Sequence, residues 1–545
     1  MLIEPNYKNK YPPIGLMKIS TYYKAKEDYV EFHKGLMPKE YVKTFDKALI
    51  TTLFTFDFDL CIQTIKYYIA ILGVQNVYVG GIAATIMPNR FKQEIPGVQI
   101  VVRQLVSSNL LGYDDNQNID SMELDYDILL DIPYKYPMEN SYFIYTSRGC
   151  PRKCSFCAVK DLEPDFYECT GIEMQIKKVD RKFGKKKIVL VMDNNVLYSD
   201  IFPKTVNKFI QLGFGRENNT IKKVNDVKYY LRSLQDRVKY NKPYHFLLMR
   251  IKDEFSRIVF SRVSKQNFSK MSGIVASIND FNDEARLAEF LIDHSDYLIR
   301  FYDKYNYHKI KRYIDFNQGL DARLLSDKAA LELSKLALRP CRIAFDDIAL
   351  KGTYLKALNN AVACGITHFS NYILYNYNND SPQDLWERLY LNVRFVRQHT
   401  KMKIQLFSFP MKYAAINQVD RNFVGKYWNK KFLRAVNIIL NVTSGIVPKE
   451  EPLFFRAFGK NPEEFLEILY MPDDFIRHRN YFDDKGLIGK WRKIFHKLSL
   501  SEKGLLLEVF EGINNNSDYI DDNKTANIDE ILPFYRMKRL KSERT

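Results

Sequence analysis

Three thiols packed into one short stretch constrain this chain more than anything else in it. Cys150, Cys154 and Cys157 fall within TSRGCPRKCSFC (Thr146–Cys157). Soft thiolates at C-x3-C-x2-C spacing favour iron–sulfur clusters or zinc over hard cations. A closed structural zinc site takes four protein ligands, whereas a site that does chemistry keeps a position open. On a four-iron cluster, three cysteines leave one iron free to bind a substrate or cofactor. The alternative is a zinc-stabilised loop in a basic nucleic-acid-binding protein. It needs a fourth ligand, and Cys169 is the nearest remaining cysteine.

Length and composition narrow the setting. A chain of 545 residues exceeds what one core serves, so two or three domains are expected. Hydrophobic residues at 46% suffice for globular folding. The other four cysteines (Cys61, Cys169, Cys341, Cys364) show no paired spacing, which fits a reducing, cytoplasmic setting. No charged stretch followed by an apolar run opens the sequence, so no secretory leader is expected, and the best apolar run, Ala435–Val447, is broken by Asn, Thr and Ser, so no membrane span is expected either.

With Phe156 just before its last cysteine, the loop resembles the cluster loop of radical S-adenosylmethionine enzymes. The resemblance implies that Cys150, Cys154 and Cys157 hold a [4Fe-4S] cluster and that Phe156 packs near the adenine of S-adenosylmethionine. It also implies reductive cleavage of that cofactor to methionine and a 5′-deoxyadenosyl radical, which abstracts hydrogen from an unidentified substrate. Such chemistry calls for a reductant such as flavodoxin or ferredoxin.

Upstream, to about residue 137, strand-like runs (Ala48–Phe56, Asn76–Gly81, Gly97–Val102) alternate with helical stretches such as Cys61–Ile71. That order predicts a parallel, Rossmann-like α/β unit whose paired Gly80 and Gly81 let backbone approach a ligand. Tyr11–Ser20 (YPPIGLMKIS) is similar to the start of cobalamin-binding-type domains that precede many radical enzymes. Their Asp-x-His-x-x-Gly motif is missing, and His33 stands alone in the region. A degenerate domain without its cofactor is therefore expected. Cobalamin binding, with cobalamin-dependent methyl transfer as the alternative reaction, stays open. Methylthiolation demands further N-terminal cysteines that Cys61 alone cannot supply.

The resemblance implies a partial (β/α)6 barrel over 138–411. Apolar runs recur at Tyr142–Tyr145, Lys187–Met192, Tyr313–Phe316, Arg342–Phe345, Tyr372–Tyr375 and Lys403–Phe409, each ending in polar residues, where barrels place chemistry. By the same resemblance, Asp193 or Asn194 in MDNNVLYS would bond the cofactor's amino group. Asp346 or Asp347 in AFDD would contact its ribose hydroxyls. Paired Asp and Asn also cap helices, and that reading stands beside each assignment. Ser381-Pro382-Gln383-Asp384 reads as a helix start.

Between the second and third barrel strands, Lys204–Arg312 is too long for one crossover helix. It carries 22 Lys and Arg against 12 Asp and Glu, +10 of the total +17. Its interleaved aromatics (Phe301–Tyr307) raise nucleic acid as a partner, against a solvated basic surface as the plainer reading. Residues 412–545 read as a helical region, with a polar loop at Asn514–Asn527 and a basic tail at Arg536–Arg544.

Overall fold

The structure is a computed structural model that describes residues 1–222, 226–257, 265–305, 309–510 and 525–539. Parts of the polar stretch 514–527, the basic tail 536–544 and the aromatic run 301–307 lie outside these residues. The chain divides into two compact units. One comprises Met1–Gln318, Glu332–Arg339 and Ile416–Arg421; the other comprises Gly319–Leu331, Pro340–Ala415 and Asn422–Thr545.

The first unit opens with five parallel strands, β1 (Leu2–Glu4), β2 (Phe32–Lys34), β3 (Ala48–Thr52), β4 (Val77–Gly81) and β5 (Gln99–Ile100), in spatial order β2-β1-β3-β4-β5. Val and Ile at Ile3, Ile50, Val77 and Val79 are fully or almost fully buried, as a sheet covered on both faces requires. The helix Phe58–Leu72 brings Phe58, Ile62 and Ile65 into that core. Three-residue β1 lies inside the sheet, between β2 and β3, and sequence reasoning had no periodicity by which to find it.

Next in chain order come β6 (Ser141–Ile144), the antiparallel pair β7 (Ser147–Arg148) and β8 (Tyr167–Glu168), and β9 (Ile188–Val191). The antiparallel pair β10 (Thr220–Lys222) and β11 (Lys309–Lys311) and then β12 (Tyr313–Phe316) follow. Strands β6, β9 and β12 form a parallel sheet with β9 in the middle, pairing Ile144 with Val191 and Val191 with Phe316 at their C-terminal ends. The long insertion between β9 and β12 is helical: Asp226–Lys239, His245–Ser256, Lys265–Asp280, Glu284–Asp293 and Ser295–Tyr305 surround a core that includes Leu231, Leu247, Ile251 and Leu291. Two buried arginines anchor it to the segment before β6. Arg237 donates to Asp131 Oδ1 at 2.7 Å and Arg250 to Glu139 Oε1 at 2.8 Å.

The second unit holds β13 (Cys341–Arg342), β14 (His368–Tyr375) and β15 (Gln405–Lys412), again parallel and in that order. Helix Pro382–Gln398 starts with the capping box expected at Ser381 and Asp384. From Lys430 onward the described residues are helical around Trp491, Phe454, Phe465 and Ile468. The six barrel-type strands thus occur as two three-stranded parallel sheets, one in each unit. No helix among the described residues is long and apolar enough to cross a membrane.

Candidate metal centre

The cysteine loop leaves β6 through a bend that a buried carboxylate holds. Asp193, two residues past β9, accepts hydrogen bonds from the Thr146 N–H (2.7 Å), Thr146 Oγ1 (2.5 Å) and Ser147 Oγ (2.7 Å). Only 3% of it is exposed, and burial pushes its acid up from the ordinary 3.8 to about 6, although those donors pull it back. Both oxygens are thereby committed to the strand end from which the loop departs.

A second carboxylate closes the loop. Glu163 lies just beyond the short helix Val159–Leu162 that follows Cys157. It accepts from Arg148 Nη1 (2.6 Å), the Gly149 N–H (2.8 Å) and Asn194 Nδ2 (2.7 Å), joining both flanks of the loop to the end of β9. Arg148 also donates to Asp120 (2.5 Å), which takes Lys18 Nζ at 2.7 Å, and its guanidinium stacks 3.3 Å from the Tyr145 ring centroid. Gly149 is at φ +72, and a Cβ there would lie 2.1 Å from the Asp165 carbonyl oxygen, so only glycine fits.

All three loop cysteines are partly exposed, and none of the chain's seven is in a disulfide. Cys154 O accepts from the Cys157 N–H at 3.1 Å, a tight turn between two of the thiols. The Cys150 sulfur accepts from the Arg152 N–H at 3.4 Å and from Asn195 Nδ2 at 3.7 Å. Among the described residues no three His, Cys, Asp or Glu side chains converge on one ion position. The donor chemistry nonetheless fits a cluster. A multi-iron cluster spreads its thiolates farther apart than a single ion does, and N–H groups aimed at a sulfur favour its thiolate form. Phe156 lies in the same loop and is half-buried.

Asp346 and Asp347 belong to the second unit. Burial pushes the Asp346 acid up to about 6, against the attraction of the Arg388 guanidinium. Arg388, fully buried, donates to the carbonyls of Phe345, Asp346 and Leu374, gathering the ends of β13 and β14. Asp347 is exposed and accepts from the Ala349 N–H at 2.9 Å, so it caps the turn Ile348–Leu350.

A cavity of about 610 Å³ lies within the first unit, where the C-terminal ends of β3 and β4 face Tyr145, Met192, Asn194 and Asn317 at the ends of β6, β9 and β12. The network around the loop (Lys18, Asp120, Arg148 and Glu163) forms part of its wall. Tyr11 reaches across to Asn317 Oδ1 at 2.7 Å. Gly80 and Gly81 line the opposite side, as their place at a strand end predicts. Among the described residues no histidine lines the cavity; His33 is buried on β2 against Tyr41 and Phe45. Sequence reasoning singled out Asp193 and Asn194 but missed Glu163, Asp120 and Asn195. Arg148 stood in the quoted motif with no role.

Neither family models nor curated protein sequences match this chain. Among solved structures it is similar to the radical S-adenosylmethionine methyltransferase TsrM from Kitasatospora setae with cobalamin and [4Fe-4S] cluster bound, at 10% identity over 75% of this chain and 74% of that one, with a TM-score of 0.42. The same enzyme with tryptophan substrate and the S-adenosylmethionine analogue aza-SAM bound gives 11% identity over 87% and 83%, with a TM-score of 0.43. Likeness at this level carries no argument about function, which rests on the chain's own residues.

Proposed function

We propose that the protein is a radical S-adenosylmethionine enzyme in which Cys150, Cys154 and Cys157 hold a [4Fe-4S] cluster. The carrying observation is the cysteine loop itself: three thiols free of disulfides, held at the end of β6 by Asp193 and Glu163, beside a cavity of about 610 Å³. When bound, the cluster supplies one electron, delivered by a flavodoxin- or ferredoxin-type donor, that cleaves S-adenosylmethionine to methionine and a hydrogen-abstracting 5′-deoxyadenosyl radical. The chain's share is to hold and orient. Asp193 fixes where the loop leaves the strand, and Glu163 sets its closure. Phe156 would pack against the adenine, and Asn194 would take the cofactor's amino group. We assign the cobalamin-binding-like domain to 1–137, a partial barrel with its insertion to 138–411 and the helical region to 412–545.

The cavity has the size of a small-molecule site, and its walls combine apolar surface with charged and amide side chains, which suits it to the substrate. Its position at the ends of β3 and β4 favours a second reading, cobalamin-dependent methyl transfer, because α/β sheets bind ligands at that edge.

Anaerobic reconstitution with iron and sulfide, reduction and addition of S-adenosylmethionine is the test. Release of 5′-deoxyadenosine, with the cofactor perturbing the paramagnetic resonance of the cluster, is expected. A colourless, zinc-bearing protein inert to the cofactor would overturn the assignment. Cobalamin retained after gel filtration would select the second reading.

A further inference from the structure

Asp193 and Asn194, the two residues that sequence reasoning drew from the end of β9, are both engaged by the scaffold. Asp193 holds Thr146 and Ser147, and the Asn194 amide is bound to Glu163. Their neighbour Asn195 is differently placed. It is only 3% exposed, and its backbone (φ −155°, ψ 71°) starts the turn Val196–Tyr198, with its carbonyl accepting the Tyr198 N–H at 3.1 Å. That anchored backbone directs Nδ2 to the Cys150 sulfur, 3.7 Å away, within reach of an N–H···S bond. The Arg152 N–H approaches the same sulfur at 3.4 Å.

A buried amide costs free energy unless its polar atoms are used. Leucine would fill the same volume without that cost. The residue that opens the turn after β9, beside a cysteine, is instead one that can donate a hydrogen bond. N–H groups directed at ligating sulfurs stabilise the more negative, reduced state of an iron–sulfur centre, and are among the means by which a protein sets its potential.

We propose that Asn195 is a positioning residue for the metal centre, acting through Cys150: its amide N–H stabilises the thiolate and raises the reduction potential of the cluster. The proposal rests on the function proposed above, because it presupposes a cluster on Cys150. It assigns Asn195 no contact with substrate.

The experiment is a mediated redox titration of the reconstituted full-length protein, followed by paramagnetic resonance, on wild type, Asn195→Leu and Asn195→Asp. Both variants should keep the wild-type iron and sulfide content and titrate at a more negative midpoint potential. Asn195→Asp should shift further, since a carboxylate offers the sulfur charge repulsion in place of a donor. Midpoints equal to the wild-type value within replicate error would overturn the proposal. Should either variant fail to fold, the wild-type protein carries the test: with nitrogen-15 in asparagine side-chain amides, the reduced centre should show hyperfine coupling to that nitrogen, and its absence would overturn the proposal. Wild-type protein that takes up no cluster would remove the enzyme assignment and this inference with it. A clustered wild type with unshifted variants removes the inference alone.

Discussion

Single side chains divide here into those that bind metal and those that shape its loop. Replacing any one of Cys150, Cys154 or Cys157 by alanine should abolish stable cluster loading, read as iron per protein after desalting, whereas Cys169→Ser and Cys341→Ser should load normally. Asp193 makes a different prediction. Its acid is raised in the fold from 3.8 to about 6, so the folded state prefers the protonated form. The stability this contributes is present in full below about pH 4 and is lost as pH rises through about 6, a swing of about 3 kcal/mol. Asp193→Asn cannot titrate. The melting-temperature difference between wild type and this variant should therefore move against the wild type from pH 4 to pH 6.5 and then level off. A difference constant across that window would show that Asp193 does not titrate there. The cysteines were legible in the sequence because their spacing is the chemistry. Glu163 and Asn195 were not, since what recruits them is a hydrogen bond formed only once β6 and β9 lie side by side.

Elements carry the next constraint. β4 ends at Gly81, whose φ of +102 suits glycine, and a Cβ there would lie 2.2 Å from the Thr52 carbonyl oxygen on β3. Gly81→Ala should lower stability by roughly 1–3 kcal/mol from backbone strain alone, with the clash added to it. A clear drop in melting temperature by circular dichroism is expected, and an unchanged one would refute the close approach. Strands of four or more residues announced themselves by apolar runs, as at Tyr313–Phe316, read with the bounds the structure gives it. β1 and β2, three residues each, are too short to show a period, although β1 lies inside its sheet. Only pairing between segments far apart in the chain reveals them, Leu2 with Phe32 and Leu2 with Leu49.

Over the whole molecule, charge is the broadest lever. A net +17, more than half of it between Lys204 and Arg312, predicts weak, sequence-independent attraction to polyanions. Fluorescence titration with short single-stranded RNAs should show binding at low ionic strength that falls steeply with salt and does not distinguish sequences. Salt-resistant binding to one sequence would instead identify a dedicated RNA site. The source of that charge has an architectural side as well. β10 and β11 pair Thr220 with Lys311 and Lys222 with Lys309, bringing the two ends of the helical insertion together as a stem. An excursion that leaves and returns at adjoining points does not lengthen the path from β9 to β12. Cutting the insertion out at that stem would leave the carboxylates of Asp131 and Glu139 without Arg237 and Arg250, the cations they now pair with.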